Sequence, residues 1–201
     1  MASKVGICNM ALSHLAISKE IANLDADKSE EASACRRFYD TALDRVLRDF
    51  KWSFTTKIAT LALIEESPND EWGYSYRYPN DCLIVRRVLS GIRNDTRQSR
   101  APYRIGRDDG GLLIWTDQQN AEIEYSIRAE NPQFYPADFV LAFSYLLAFL
   151  IAPRVTGGDQ FKLGERAIKM YTLEISAANA DNHNEEQQEE APESEFIRTR
   201  E

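Results

Sequence analysis

The stretch Asp49-Phe50-Lys51-Trp52-Ser53-Phe54, which reads DFKWSF, stands where the 201-residue chain changes from a helical to a strand-like pattern. Before it, apolar residues recur every three or four positions from 29 to 50, which predicts an amphipathic helix capped by Ser29. After it, KIATLALI at 57–64 is rich in β-branched residues and alternates in part, which predicts a strand. On an extended backbone, the three aromatic rings would all face the helices. The stretch therefore predicts the join between a helical frame and an inserted sheet; a ligand-stacking platform is the alternative.

Three further segments have helical spacing. Residues 3–16 place apolar side chains on one face after Ser3, a favoured N-cap residue. Residues 134–151 are apolar on nearly all sides, and Pro136 suits a first turn. The last helix follows a turn at 156–158, runs to about residue 179, and has an apolar stripe made of Phe161, Ala167, Tyr171, Ile175 and Ala178. The structural core predicted from these helices and their join contains Phe50, Trp52, Phe54, Phe139, Phe143 and Leu146.

The third helix raises the question of a membrane span. Its run FVLAFSYLLAFLIAP, 139–153, is apolar, but only about 14 residues precede Pro153, against the ~20 that a span needs. The run also contains Ser144 and Tyr145. We therefore predict a central helix buried on all sides and no membrane contact.

Between the helical segments the pattern is that of short strands and tight turns. WGYSYRY at 72–78 alternates aromatic residues, which places all four on one face of a strand. Turn residues such as those at 108–111 separate further strands, namely 82–89, 103–106, 112–116 and 122–128. Successive short strands predict an antiparallel meander. The predicted fold class is α+β, a bundle frame of about four helices with an inserted antiparallel β-meander and a disordered acidic C-terminal tail.

This pattern divides the chain into four parts, with the helical frame in 1–56, the β region in 57–128, a helical hairpin that completes the frame in 129–180, and the tail in 181–201. The formal net charge is −8, of which −6 lies in the tail, so the body is nearly neutral. The tail is acidic, rich in Gln and without periodic apolar residues, which predicts disorder. Aromatic residues near basic ones, as in YSYRY, also occur in single-strand nucleic-acid binders, but the chain has no basic face to neutralise phosphates.

The last residues of the tail differ from its acidic part. Phe196, Ile197, Arg198 and Arg200 form a small basic, amphipathic patch. Such a patch predicts a segment that docks on a partner, and a frayed terminus is the alternative.

The residue types that carry catalysis are sparse. His14 lies near an apolar stripe and His183 lies in the tail, and neither has Cys, Asp or Glu at ligand or triad spacing. Paired carboxylates at 65–66, 108–109 and 185–186 lie in turns and the tail, where acids are usually solvated. The glycine turns lack phosphate-binding fingerprints. We predict no catalytic, cofactor or metal site.

Three cysteines, Cys8, Cys35 and Cys82, are widely spaced among apolar residues, which predicts buried small hydrophobes rather than a redox or metal site. The N-terminal segment has no charged start followed by an unbroken apolar run, which predicts no signal peptide. Both observations favour a protein made and assembled in a reducing cytoplasm.

Three segments carry a resemblance to a known family. They are VLRDFKWSFT at 46–55, YRYPNDCLIVRRV at 76–88 and NPQFYPADFVLAFSYLLA at 131–148. In this order, between a short first helix and a closing one, they resemble the tail tubular protein A family of short-tailed bacteriophages, over about residues 4–180. Tyr135 and Ala137 depart slightly from the family's pattern.

The resemblance implies a structural virion protein, the head-to-tail adaptor. Family members form a dodecameric ring between the portal and the tubular nozzle, with C-terminal segments directed towards the portal. Double-stranded DNA passes through the ring without sequence-specific binding. The implied partners are other copies of the chain, the portal, a tubular protein B-like nozzle and tail fibres, and the implied location is the head–tail junction of the virion. Some related adaptors also hydrolyse cell-wall peptidoglycan or polysaccharide, so an adaptor with such an activity is the alternative function.

Overall fold

The computed structural model describes residues 2–92, 100–159 and 161–185. Over this part of the chain there are four α-helices: α1 Lys4–His14, α2 Glu30–Asp49, α3 Ala137–Val155 and α4 Leu163–Glu185. Seven strands lie between α2 and α3 in the chain: β1 Thr56–Thr60, β2 Leu63–Glu66, β3 Tyr74–Arg77, β4 Cys82–Leu89, β5 Tyr103–Asp108, β6 Gly111–Thr116 and β7 Glu122–Ile127. The predicted α+β class is confirmed.

The first two helices begin at their predicted caps. Ser3 Oγ accepts a hydrogen bond from the Gly6 N–H at 3.0 Å, and Ser29 Oγ accepts one from the Ala32 N–H at 3.3 Å. Each bond satisfies a backbone donor that has no partner within the first turn of a helix. At the other end of α2, Phe50 has an extended backbone with φ −136°. The chain therefore leaves α2 in an extended conformation, directed to the sheets.

Helix α3 is the centre of the frame and packs against α1, α2 and α4. Nine of its residues are buried, although the helix is also long and apolar enough to span a membrane by length and composition. The prediction that the run is too short was wrong, because the helix continues through Pro153 to Val155. Pro153 lies in the last turn, two residues before the helix ends, and leaves the carbonyl four residues earlier without its helical donor. Thr156 closes the helix, since its N–H and Oγ1 both donate to the Ala152 oxygen.

Helix α4 differs from its prediction at both ends. Lys162 has a left-handed φ of 55° and the helix begins after it, so Phe161 lies outside the helix and is 83% exposed rather than part of the stripe. The other stripe residues pack on the frame, with Ile175 half-buried. At its far end the helix reaches Glu185, beyond the predicted start of disorder at 181. Once a helix is nucleated by packing, each added residue gains a backbone hydrogen bond, so a polar sequence continues it.

The β region forms two antiparallel sheets instead of one meander. The first sheet has the order β1-β7-β4 and the second has the order β2-β3-β6-β5. KIATLALI, predicted as one strand, is divided between them. Leu61 is buried at the crossing point, and its N–H donates to the Ala121 oxygen at 2.9 Å. Alternation of side chains with a period of two identifies a strand. It does not identify the neighbouring strands, because strand partners are distant in the sequence.

Two hydrophobic cores result. In the helical core five of the six predicted residues are buried, and the sixth, Phe54, is half-buried against them. The sheet core is smaller and takes residues from both sheets: Leu61, Tyr76, Val85, Val88, Ile114, Ala121, Ile123 and Tyr125. Of the four aromatic residues predicted to share one strand face, Tyr74, Tyr76 and Tyr78 contact this core, whereas Trp72 precedes β3.

Candidate functional site

The DFKWSF stretch lies at the join between helices and sheets. The ring centroid of Trp52 is 4.8 Å from that of Phe50 and 5.0 Å from that of Phe139, both edge-on, and its Nε1 donates to the Val46 oxygen at 2.8 Å. Phe54 contacts Phe139 with centroids 5.0 Å apart. Residues Ser53–Thr55 form a 3-10 turn, so the predicted strand-like backbone ends at Trp52. The rings pack on the frame and do not form an open platform.

Arg86 on β4 connects the sheets to the C-terminus of α2. Its guanidinium donates to the carbonyl oxygens of Leu47, Arg48 and Phe50 at 2.7, 3.2 and 2.6 Å. Carbonyl groups at a helix C-terminus lack helical donors and form the negative end of the helix dipole, so a cation there is favourable. Its Nε donates to Ser126 Oγ on β7 at 2.8 Å. Burial lowers the pKa of Arg86, yet a guanidinium remains charged at neutral pH.

Glu124 on β7 is a buried carboxylate between two cations. It is 4% exposed, with Lys51 Nζ at 2.6 Å and Arg87 Nε at 2.5 Å from its oxygens. Burial raises the pKa of Glu124, but the hydrogen bonds and charges of Lys51 and Arg87 together outweigh burial and lower it below its ordinary value. Because Lys51 belongs to DFKWSF, this group is a second polar tie between frame and sheets.

Arg128 forms a third tie where the chain returns from β7 to the helices. Its guanidinium contacts Asp44 at 2.6 Å and Asp40 at 2.9 Å on α2, and Glu130 at 2.7 Å. Hydrogen bonding to Asp44 raises the pKa of Arg128 above its usual range. Sequence reasoning missed all three ties, because each joins residues that are far apart in the chain.

His14 lies in a pocket of about 310 Å³ between α1, α3 and α4. Its ring stacks on Tyr145 with centroids 3.9 Å apart, and its Nε2 is 2.9 Å from Ser144 Oγ. Because Ser144 Oγ also lies 2.8 Å from the Leu141 oxygen, which can only accept, we assign the serine proton to that bond and the Nε2 proton to the neutral imidazole. Burial lowers the pKa of His14. A catalytic His must instead accept the serine proton. This pair therefore ties α1 to α3 and is not arranged as a nucleophile with its base.

The structure brings two of the three cysteines together. Cys8 on α1 and Cys35 on α2 are both fully buried in the helical core. A hydrogen bond with Cys35, together with burial, raises the pKa of the Cys8 thiol, so it stays protonated. Cys82 is half-buried at the rim of the sheet core. Burial of the first two was predicted, but their contact was not, although each lies on the apolar stripe of its helix.

A second pocket, of about 370 Å³, lies beside the start of α1 and carries charges of both signs. Lys4, Asp25, Arg36 and Asp40 line it. Arg36 is engaged within the chain, since it donates to the backbone oxygens of Leu24 and Asp27. With opposite charges in balance, the pocket has no clear preference for an anion or a cation.

The carboxylates of β2 considered for hydrolysis lie far from those at the end of β5. Glu65 on β2 and Asp108 on β5 lie at opposite edges of the second sheet. Three strand spacings separate those edges by about 14 Å, more than the ~5–9.5 Å between the two carboxyl groups of a glycosidase. Asp108 also accepts two hydrogen bonds from Arg77, at 2.8 and 3.0 Å, which lower the pKa of Asp108 and keep it ionised. Glu66 and Asp109 are sequence neighbours of these residues. In the described part of the chain, no group of three His, Cys, Asp or Glu is arranged to hold a metal ion.

Two large aromatic side chains lie exposed near opposite ends of α3. Phe134, in the turn before the helix, is 72% exposed, and Phe161 follows the turn after it. Exposed aromatics of this size are typical of protein contacts when they lie in larger apolar patches. The predicted docking residues Phe196, Ile197, Arg198 and Arg200 lie outside the described residues. No protein-family model matches the sequence, and no curated protein matches it significantly.

Proposed function

We propose that the chain is the head-to-tail adaptor of a short-tailed bacteriophage, a structural protein that forms a ring between the portal and the tail nozzle. The ring contains twelve copies and surrounds the channel through which double-stranded DNA passes. The chain acts as a connector and not as an enzyme.

The observation that carries the proposal is the position of the three segments that resemble the adaptor family. The first, 46–55, contains the end of α2 and Trp52; the second, 76–88, contains Arg86; and the third, 131–148, contains Phe139. Arg86 bonds to the first segment and Phe139 packs against Trp52. The three segments therefore meet at one join, and the resemblance involves the residues that hold the sheets to the helices.

Two further features support an adaptor. Helix α3 has 19 residues and is therefore about 28 Å long, so Phe134 and Phe161 lie near opposite ends of the frame, as contacts with two different partners require. The nearly neutral body suits a channel, because a strongly basic lining would bind DNA and slow its passage.

The proposal is tested by mixing the purified chain with the portal protein of the phage that encodes it and imaging the complex by cryo-electron microscopy. We expect a monomer or weak oligomer alone and a twelve-fold ring on the portal. Phe134→Ser and Phe161→Ser should each weaken one end of the assembly. Leu173→Ser, at an exposed apolar residue within α4, serves as the matched control. A chain that never binds the portal would remove the proposal.

The docking role of the C-terminal residues has its own experiment. Truncation after Glu185 keeps every described residue of α4, so we expect unchanged unfolding and weaker portal attachment. Replacing Phe196 and Ile197 with Ser in the full chain should reproduce the weakening. Equal attachment of the truncated and full chains would contradict the docking role while leaving the ring itself in place.

A further inference from the structure

The second sheet has two open edges within the described residues. In the order β2-β3-β6-β5, strand β2 pairs only with β3, and strand β5 pairs only with β6. All four residues of β2 are exposed. An open edge presents unpaired backbone N–H and C=O groups, which readily pair with a strand of another chain.

The register of this sheet aligns matching residues at its two edges. One row across the sheet runs Leu63, Tyr76, Ile114, Ile105, from β2 to β5. It ends in an apolar side chain on each edge, and both end residues are about half exposed, Leu63 at 48% and Ile105 at 46%. The middle residues of the row are buried in the sheet core. The row that faces the sheet core therefore leaves an apolar side chain half exposed at each edge of the sheet.

The neighbouring row ends in opposite charges. It runs Glu65, Ser75, Trp115, Arg104, again from β2 to β5. Glu65 has no ion-pair partner in the described part of the chain, whereas Arg104 contacts Glu71 at 3.4 Å with both side chains largely exposed. An exposed pair of this length contributes little to stability, so Arg104 remains available to another carboxylate. The β2 edge is thus acidic and the β5 edge basic.

We propose that β2 of one copy pairs with β5 of the next, so that the second sheet continues from copy to copy around the ring. Ile105 then lies opposite Leu63 of the neighbour. Because Ile64 is an extra residue in the irregular register of β2, Glu65 of the neighbour falls in the next row, opposite Arg104. This inference rests on the proposed function in one respect, since a closed ring requires a head-to-tail contact between copies.

Strand direction agrees with this arrangement. Every pair in the second sheet is antiparallel, so β2 and β5 of one copy run in opposite directions. A neighbour that keeps the same orientation therefore presents its β2 antiparallel to β5, which is the ordinary pairing for such a sheet. In contrast, a two-fold dimer through fully overlapping β2 strands would set each glutamate opposite an apolar residue, Leu63 opposite Glu66 and Ile64 opposite Glu65. A dimer through fully overlapping β5 strands would set Arg104 opposite Arg107. Neither dimer pairs opposite charges, and like charges directly opposite each other are destabilising, so the edges favour the head-to-tail contact that a ring requires.

The expected strength of this edge contact also agrees with a ring that assembles on a portal. Strand β2 has four residues, with an irregular register between Leu63 and Glu65, so edge pairing buries much less than the ~1,200 Å² of a typical stable interface. The contact is consequently weak between two free copies. It becomes strong only when the copies are held together, as on a portal.

Charge reversal tests the inference. Arg104→Glu sets two carboxylates opposite each other at this contact and Glu65→Arg sets two guanidinium groups opposite each other, so each variant alone should lose self-association, by ~10-fold or more in dissociation constant. An equimolar mixture of the two variants restores both contacts in an alternating assembly, and the double variant restores them within one chain. Sedimentation velocity at high protein concentration measures association. The pair Glu20→Lys and Lys28→Glu, on the exposed loop before α2, is the control, and thermal melting checks that each variant is folded.

A disulfide between β2 of one copy and β5 of the next tests which of their residues lie opposite each other. Residues opposite each other in antiparallel strands have Cα atoms about 4.5–5.5 Å apart, within disulfide range. Mild oxidation of a chain with both Leu63→Cys and Ile105→Cys should give a ladder of dimers, trimers and higher species. Either substitution alone should give no species beyond a dimer, and the wild-type chain controls for its own cysteines.

The outcomes separate this inference from the proposed function. Portal-bound rings that form equally well from wild type and from each charge-reversed variant would overturn the edge pairing and leave the adaptor in place. A ladder and a rescued mixture from a chain that does not bind the portal would support the edge pairing and remove the adaptor. A mixture that associates no better than its components, although the wild type associates, would also overturn the pairing.

Discussion

The helical frame and the β region are stabilised in different ways. The frame has a continuous core of apolar and aromatic side chains around α3, with Trp52 at its edge. Among its described residues, the β region has a smaller core of eight buried side chains, and its second sheet has two edges without a partner strand. Polar groups tie the two regions together, since Arg86, Glu124 and Arg128 all bridge a strand or its end to α2 or to the residues that follow it.

This difference indicates that the helical frame is the rigid region and the β region is the one that makes contacts. A frame with a continuous buried core is stabilised mainly by the burial of apolar surface. A region held by hydrogen bonds and ion pairs, with open strand edges, is suited to contacts with other chains. The contrast predicts that substitutions in the frame change global stability, whereas substitutions at the join change how the β region is held.

The largest expected effect is in the frame. Trp52→Ala removes a buried ring that contacts Phe50 and Phe139, together with the hydrogen bond from Nε1 to Val46. We expect the free energy of unfolding to fall by about 3–5 kcal/mol, as for other buried aromatic truncations. Urea denaturation measures the change. Phe161→Ala, at an exposed ring, should change stability by less than about 0.5 kcal/mol. A folded Trp52→Ala protein of wild-type stability that loses a binding activity would revive the ligand-stacking alternative.

The second-largest effect on stability is expected where the sheets join the end of α2. Arg86→Met removes the donors to three carbonyl groups at the end of α2 while keeping a long apolar side chain. We expect a loss of about 2–3 kcal/mol, because hydrogen bonds from charged donors are the stronger ones. Hydrogen exchange should show faster exchange in β4 and β7 and little change in α3. Arg86→Lys, which keeps the charge but not the forked donors, should recover only part of the loss. Equal acceleration in α3 and the sheets would contradict the separation of the two regions.

The smallest effect is a dependence on pH. The folded-state pKa of Glu124 lies below its ordinary value of 4.5. Its stabilising contribution is therefore complete above that ordinary value and is lost as the pH falls through the lower, folded-state pKa. Glu124→Gln should cost about 1 kcal/mol at pH 7. Denaturation measured at several pH values between about 2 and 7 should show a shallower acid decline for this variant. A variant whose acid decline parallels that of the wild type would show that Glu124 adds nothing to it.

Local features of the fold were predictable from the sequence. The caps Ser3 and Ser29 and the apolar stripes of α1 and α2 depend on residues within a few positions of each other, and these helices lie where the pattern indicates. Phe161 was assigned wrongly because helical spacing was counted across Lys162, whose left-handed backbone precedes the helix. The division of KIATLALI between two sheets could not be predicted, since it depends on partners in β7 and β3.

The polar contacts that tie the sheets to α2 also join residues that are distant in the sequence. Arg86 and Arg87 are adjacent in an otherwise apolar strand, which indicates that at least one of them faces a neighbour and not solvent. The sequence does not show that this neighbour is the end of α2, because 36 positions or more separate Arg86 from the carbonyl groups that it binds. The contact between Cys8 and Cys35 likewise requires the packing of two helices.

The chain enters and leaves the β region at adjacent points. Thr56 at the start of β1 and Ser126 near the end of β7 are partners in the first sheet, so their Cα atoms are about 5 Å apart. A two-residue turn spans that distance. The whole β region is therefore an insertion between two adjacent points of the chain. Because the distance between those points does not depend on what lies between them, a change in the length or sequence of the insertion need not alter the spacing between α2 and α3.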